Sequence, residues 1–451
     1  MRKKISFTLI TAMMMLTLAA CGTTDSSSSS NIETENVVAS EVEVADEDEN
    51  TPDSASEAAE ATEEDQEDKE PADDKKADKS ESEPTTEIVA TANVTATGMI
   101  DASDMFTDRD LTQTADYSEA EYLTVTEGQD ITIDKEGVYV ISGSAKNVTI
   151  YVEAEDEAKV QLVLDGVDIS NESMPCIYVK SADKVFVTTT ETDNSLAVSG
   201  SFKADGDTNL DAVIFSKEDL VVNGLGTLNI ESSDNGITSK DTLTVTGGTL
   251  EISCSGSALE GQDAIEIADG TITIPSCNDG LHAEDNDDDS KGYIYICGGT
   301  FTINATDDGI HATTIIQLDG GTFDLTAAEC IEGTYIQIND GKVNISASDD
   351  GINAAQKSNQ YTPTYEQNGG EVTIVMGAGD TDGVDSNGNI YINGGTIDIS
   401  GQSTFDYDGT AEYNGGSIIE NGEETNTITN QFMGGGPGGG PGGDPFGGGP
   451  N

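Results

Sequence analysis

The 451-residue chain has no tryptophan, only two histidines, and 19 lysines and arginines against 86 aspartates and glutamates. Without indole rings, a flat aromatic platform for crystalline glucan is disfavoured. A formal charge of −67 argues against nucleic acid or bare anionic surfaces as partners, because such a field repels both. Arginine is absent after Arg109, and Lys203, Lys217, Lys240, Lys291, Lys342 and Lys357 are scattered along the chain. An enzyme that removes a proton beside a sugar carboxylate needs a basic group for the proton and others for the carboxylate, so this scarcity argues against one. Cysteine is also sparse. Beyond Cys21 there are Cys176, Cys254, Cys277, Cys297 and Cys330, an odd number with no CxxC. That pattern suits buried small apolar residues better than a disulfide framework or a zinc site, with one oxidised pair left open.

Apolar runs are short. The longest, Ile5 to Leu18, follows Arg2, Lys3 and Lys4; it is too brief for a comfortable membrane span and reads as a signal peptide. It ends in Leu18-Ala19-Ala20-Cys21, which resembles a bacterial lipobox, so residues 1–21 are expected to be a leader with Cys21 as the lipidated residue. The expected localisation is extracellular, held to the cell membrane by that lipid alone. Residues 22–90 carry 24 acidic residues, 4 lysines and no aromatic residue. Such a stretch has too little apolar surface to offset the entropy of ordering and reads as a disordered stalk. Residues 431–451 are Gly and Pro rich and read as a disordered tail. The N-terminal basic residues contribute +3 and the stalk −20, leaving about −50 on the rest.

Residues 91–430 repeat. A motif G-[GD]-x-x-x-[IVL] recurs at Gly226, Gly248, Gly270, Gly299, Gly321, Gly341, Gly370, Gly395 and Gly416, in steps of 20 to 29 residues. Apolar residues then alternate, as in Leu250 and Ile252, Phe301 and Ile303, or Val343 and Ile345; a period of two means strand, with these side chains inward. A second strand precedes each glycine (Ile294-Tyr295-Ile296) and a third follows a turn (Asp308-Gly309-Ile310-His311-Ala312). The fold class is therefore all-β: a right-handed parallel β-helix, a solenoid with three short strands per coil of about 22 residues. A monomer is expected.

The third strand carries a D-D-G-I-x-A motif. Aligning coils places Asn235, Asp263, Asp279, Asp308, Glu329, Asp350, Asp382 and Asp408 in one column, with Asp307 and Asp349 one position earlier. Carboxylates about 4.8 Å apart repel by roughly 3 kcal/mol per pair at an effective dielectric near 20. Either the side chains cap turns and splay into solvent, or Ca²⁺ sits between coils. The candidate metal ligands are Asp263, Asp279, Asp307, Asp308, Asp349, Asp350 and Asp382, with Asp287, Asp288 and Asp289 of the acidic loop that interrupts a 29-residue step. On the column before the glycine, Tyr293, Tyr295, Gln317, Tyr335, Gln337 and Tyr391 are candidate sugar contacts, ring faces for C–H surfaces and amides for hydroxyls. Ordinary exposed sheet residues would look the same.

Several stretches resemble a bacterial family of extracellular carbohydrate-binding β-helix proteins akin in structure to pectate lyases. They are Met105-Phe106-Thr107-Asp108-Arg109-Asp110, Gly137 to Gly143, Val160 to Gly166, Lys217 to Gly224, and the Gly-Gly-Thr and Asp-Asp-Gly-Ile coils. The resemblance implies a right-handed β-helix, bound calcium and affinity for plant cell-wall polysaccharides, including acidic sugars. The expected function is a non-catalytic surface lipoprotein that binds polysaccharide with calcium. A lyase or hydrolase acting on pectin-like substrate, and a structural or adhesive protein, stay open as alternatives. Asp279 with His282, and Asp307 and Asp308 with His311, echo the acid and histidine cluster of polygalacturonases, but the G-H-G and R-I-K pieces are missing. The two histidines are read as surface ligands or turn residues.

Overall fold

The computed structural model describes residues 88–90, 98–285, 288–379 and 381–431. The expected leader, Cys21, most of the stalk, Asp287 and nearly all of the tail lie outside the described residues. Among the described residues no helix is long and apolar enough to cross a membrane.

The chain winds as a parallel β-helix with three strands per coil. One column, here the acid face, stacks Ile237, Leu259, Leu281, Ile310, Ile331, Ile352, Val384 and Phe405 in register. A second, the threonine face, stacks Leu228, Leu250, Ile272, Phe301, Phe323, Val343, Val372, Ile397 and Ile418. A third, the strap face, stacks Leu220, Leu243, Ile265, Ile294, Ile316, Ile336, Tyr365 and Ile390. All of these side chains are buried, each worth about 1.5–3 kcal/mol relative to exposure. The Phe301 and Phe323 rings stack inside at 4.5 Å, 6° from parallel. The period-two expectation for the strand after each glycine thus holds, as in Phe301 and Ile303 buried between exposed neighbours.

The glycines that set the period turn the chain from the strap face to the threonine face. Gly395 and Gly416 have φ of +76° and +87°, where only glycine is unstrained. A Cβ on Gly416 would lie 2.6 Å from the carbonyl oxygen of Gly395 in the coil above. Coils therefore stack only where that position is bare. At the far end Ser417–Glu420 pairs antiparallel with Glu423–Thr425, closing an edge that would otherwise offer free hydrogen-bonding groups.

A segment that the repeat does not announce lies across the strap face. Thr107 caps the short helix Asp108–Leu111 in a capping box with Asp110. From there the segment reaches along nine successive strands, from the one holding Val140 to the one holding Gln337. Met99 N donates to Gln337 Oε1 at 2.9 Å and Ile100 N to Gln317 Oε1 at 2.7 Å. Asn223 Nδ2 donates to the carbonyls of Asp110 and Thr112, each at 3.2 Å. Gln113 accepts from Gly224 N and donates to Thr246 O. Arg109 lies 4.5 Å above the Phe186 ring. Met105, Phe106 and Leu111 pack on Tyr293, Tyr295 and Cys297.

Of the cysteines in the described residues, Cys176, Cys277, Cys297 and Cys330 are buried and Cys254 is half-buried. Burial pushes the thiols of Cys176, Cys254, Cys277 and Cys330 up to about 12, so they act as apolar filling.

Candidate metal and glycan sites

The acid face is built by one rule. With the Ile column inward, the residue after it points outward, and the residue two before it sits at the corner and turns onto the same outer surface. The outward row reads Thr238, Glu260, His282, His311, Glu332, Asn353, Asp385 and Asp406. The corner row reads Asn235, Ser257, Asp279, Asp308, Glu329, Asp350, Asp382 and Ser403.

Two residues leave the column as aligned from sequence. Asp263 precedes Ala264, which pairs with Thr242 and Tyr293 of the strap face; its true counterpart on the corner row is Ser257. Asp263 instead accepts an ion pair from Lys291 at 2.5 Å. Asp408 is likewise replaced on the corner row by Ser403, because the strand it precedes, with Ala411 paired to Ile390, belongs to the strap face. Of each aspartate pair, the first, Asp307 or Asp349, is exposed, and the second, Asp308 or Asp350, turns onto the acid face. In the acidic loop Asp288 and Asp289 are exposed, and Asp288 Oδ1 accepts from Ser290 N and Oγ at 3.0 and 2.6 Å. That is turn capping, the non-metal use of such a residue.

The middle of the face holds a charge-compensated network. His282 Nδ1 lies 3.2 Å from Asp279 Oδ2, and His311 Nδ1 lies 2.8 Å from both Asp308 Oδ2 and Glu332 Oε2. The imidazoles stack at 4.7 Å, 7° from parallel. Lys357 Nζ reaches Glu332 Oε1 at 2.7 Å, and Lys240 Nζ reaches Glu260 Oε1 at 2.6 Å. Burial works to lower the His311 pKa, but the bonds to Asp308 and Glu332 outweigh it and hold it at about 9. Burial likewise works to raise Glu332, yet His311 and Lys357 bring it down to about 2. Asp308, His311 and Glu332 bring three ligand atoms within 4.8 Å of one another and could hold a metal ion.

Further along, compensation stops. Burial, then the carboxylates of Asp350, Asp406, Asp382 and Asp408, push Asp385 up to about 7. Burial raises Asp350 to about 6, with Asp349, Asp382 and Asp406 adding to it. The Asp382 amide donates to Asp350 Oδ1 at 3.1 Å. Around them Ser403 Oγ, Thr381 Oγ1 and Asn353 Oδ1 are buried without a hydrogen-bond partner, on residues 0, 3 and 9% exposed. Ser403 stands one coil below Asp382 and Asn353 one coil above Asp385. The Asn353 Nδ2 already donates to Glu329 Oε2 and Glu332 Oε1, which leaves its oxygen turned away from them. Buried oxygens with nothing to accept from are costly, and hard oxygen donors around uncompensated carboxylates fit a divalent cation such as Ca²⁺.

The sequence reading missed Glu332, Asp385, Asp406 and Glu260. The signal was present: they are the residues one place after the stacked apolar position.

The expected sugar contacts divide. Tyr295, Gln317 and Gln337 are buried and Tyr293 half-buried beneath the strap. Gln317 and Gln337 spend their carbonyls on strap amides, and the Tyr295 hydroxyl donates to Asp319 Oδ2 at 2.8 Å. These four are corrected to strap-docking residues. Tyr335 shares the strand of Gln337, the last one the described strap reaches, and Tyr391 lies two strands further on; both are half-buried. Tyr335 donates to Glu366 Oε2 at 2.6 Å and meets Tyr361 edge-on at 6.5 Å.

Residues 127–409 match the family model of the carbohydrate-binding domain-containing protein. A carbohydrate-binding domain-containing protein of Acetivibrio thermocellus is 33% identical over 129 residues, covering 28% of this chain and 45% of that protein. The chain thus spans about half the length of this curated relative. A solved structure, that of the polysaccharide lyase-like protein from C. thermocellum as a gadolinium derivative, aligns with a TM-score of 0.42 and 29% identity, over 48% of this chain and 84% of that one.

Proposed function

The chain belongs to the carbohydrate-binding domain-containing protein family, and from that premise we propose that it is a non-catalytic cell-surface lipoprotein that binds polysaccharide of the plant cell-wall type with the help of calcium. The observation that carries the calcium is the end of the acid face, where Asp350, Asp382, Asp385 and Asp406 adjoin the buried unpartnered oxygens of Ser403, Thr381 and Asn353. These residues would hold the ion. When bound it supplies positive charge on a surface that otherwise repels a uronate polymer. The binding reading, rather than a lyase, is supported by the lysines near the acid cluster and its loop. Lys240, Lys291 and Lys357 are each ion-paired to a carboxylate, so none is a free amine poised to take a proton.

The test is retention on immobilised polygalacturonate beside a neutral glucan. Retention should vanish with chelator and return with Ca²⁺ more than with Mg²⁺, which keeps its waters and a small octahedral shell. Asp350→Asn with Asp385→Asn should abolish the calcium response. Polygalacturonate binding that survives chelator in folded protein overturns the calcium reading; release of unsaturated oligosaccharides overturns the non-catalytic one. The anchor has its own assay: labelled fatty acid incorporated by the full chain should be lost in Cys21→Ala.

A further inference from the structure

We propose that Asp308, His311 and Glu332 form a second metal site, of a different class from the calcium site, that takes a divalent transition metal such as zinc. The three residues are 8, 9 and 6% exposed and their ligand atoms converge. A lone His311 Nδ1 faces two carboxylate oxygens, Asp308 Oδ2 and Glu332 Oε2, both at 2.8 Å. One N–H cannot donate a linear hydrogen bond to both. A cation at the point of convergence satisfies all three atoms at once.

Donor chemistry decides the class. Ca²⁺ takes oxygen ligands almost alone, whereas zinc and its neighbours combine imidazole nitrogen with carboxylate oxygen. Three protein donors leave a fourth position for a small ligand. The surroundings hold the donors in place, as outer shells of metal sites do. His282 stacks on the His311 ring, and Lys357 and Asn353 bind the remaining oxygen of Glu332 at 2.7 and 3.2 Å. Asp279, held by His282, accepts from the Asp308 amide at 3.3 Å. Unlike the calcium cluster, this group has positive neighbours, so it does not depend on that reading.

Chelator-treated full-length protein titrated with Co²⁺ should develop one equivalent of visible absorption of the low-symmetry, four-coordinate kind. Zinc should displace it and a large excess of Ca²⁺ should not. His311→Gln should weaken binding by about a hundredfold or more, while His282→Gln, which removes no ligand, should keep the band. X-ray absorption on the zinc-loaded wild type gives a reading that needs no variant: histidine scattering in a mixed nitrogen and oxygen shell is expected. An all-oxygen or sulfur shell, absence of the band, or displacement by Ca²⁺ would overturn the site, and the contacts of His311 would then be an ion-paired proton only.

Discussion

At the scale of single residues, Asp385 separates the effect of charge from that of the ion. Its carboxyl is pushed up to about 7 from an ordinary value of 3.8, so the folded state holds its proton more tightly than the unfolded state. Stability from this group is fully present below pH 4 and is lost as pH rises toward 7. Because the side chain is partly solvated, the loss is on the order of 1–2 kcal/mol after screening. In chelator at pH 8, Asp385→Asn should therefore melt above the wild type, whereas with saturating Ca²⁺ the order should reverse. Melting curves in both buffers check the crossover; a variant that is less stable in both would remove the repulsion argument. A second residue-scale expectation concerns His311. Replacing it with Ala leaves Asp308 and Glu332 buried against each other and should cost about 3–5 kcal/mol, while His282→Ala, whose ring is itself more exposed and faces a single buried carboxylate, Asp279, should cost less. Urea titrations would rank the two.

Among the elements, the coils were legible and the strap was not, for a physical reason. Each coil reports itself because Phe301 and Phe323, or Ile310 and Ile331, occupy equivalent positions and are repeated. The strap occurs once, and its docking uses backbone amides of Met99 and Ile100 that have no sequence signature. The same blindness put Tyr295 and Gln317 on an open surface. The alternation rule points them outward correctly, but it cannot say what lies above. Asp263 shows a different failure, since Asp-Ala-Ile and Asp-Gly-Ile look alike although they open different faces. The strap has its own pH dependence. Burial raises the Glu266 carboxyl to about 7; the Tyr293 hydroxyl bonded to it at 2.7 Å and Lys184 oppose this, and Asp219 and Asp110 of the strap add to it. Stability from a neutral Glu266 is present below pH 4.5 and lost as pH passes 7. Hydrogen exchange at Met99 and Ile100 should accelerate above pH 7 beyond the intrinsic rate, and Glu266→Gln should flatten the excess. Equal excess in both proteins would place the weak point elsewhere.

For the molecule as a whole, the strap changes what kind of solenoid this is. A stack of coils has contacts only between neighbours, so its stability is a sum of local terms and it can unravel in stages. Here Met99 is bonded to Gln337 across 238 residues, Ile100 to Gln317 across 217, and Gln113 to Thr246 across 133. Lys184 pairs with the buried Asp110 at 3.5 Å. Unwinding any coil between the first and the one holding Gln337 must either break strap contacts or strain them, which couples coils about 38 Å apart, eight strand spacings. The coils beyond, from Asp350 onward, lack this coupling among the described contacts and also carry the uncompensated acids. Heating the chelated wild type should then show the C-terminal coils loosening first and the strapped coils melting together. Their calorimetric and van't Hoff enthalpies should agree closely. Calcium should pull the early event up into the main transition by binding only the folded acid cluster. Gln317→Ala with Gln337→Ala should release the Met99 and Ile100 end of the strap and split the main transition, at a cost of about 1–3 kcal/mol for each strap amide left unsatisfied. If the double variant instead melts in one transition at a lower temperature, coil-to-coil stacking alone carries the cooperativity and the strap is only one more layer of packing.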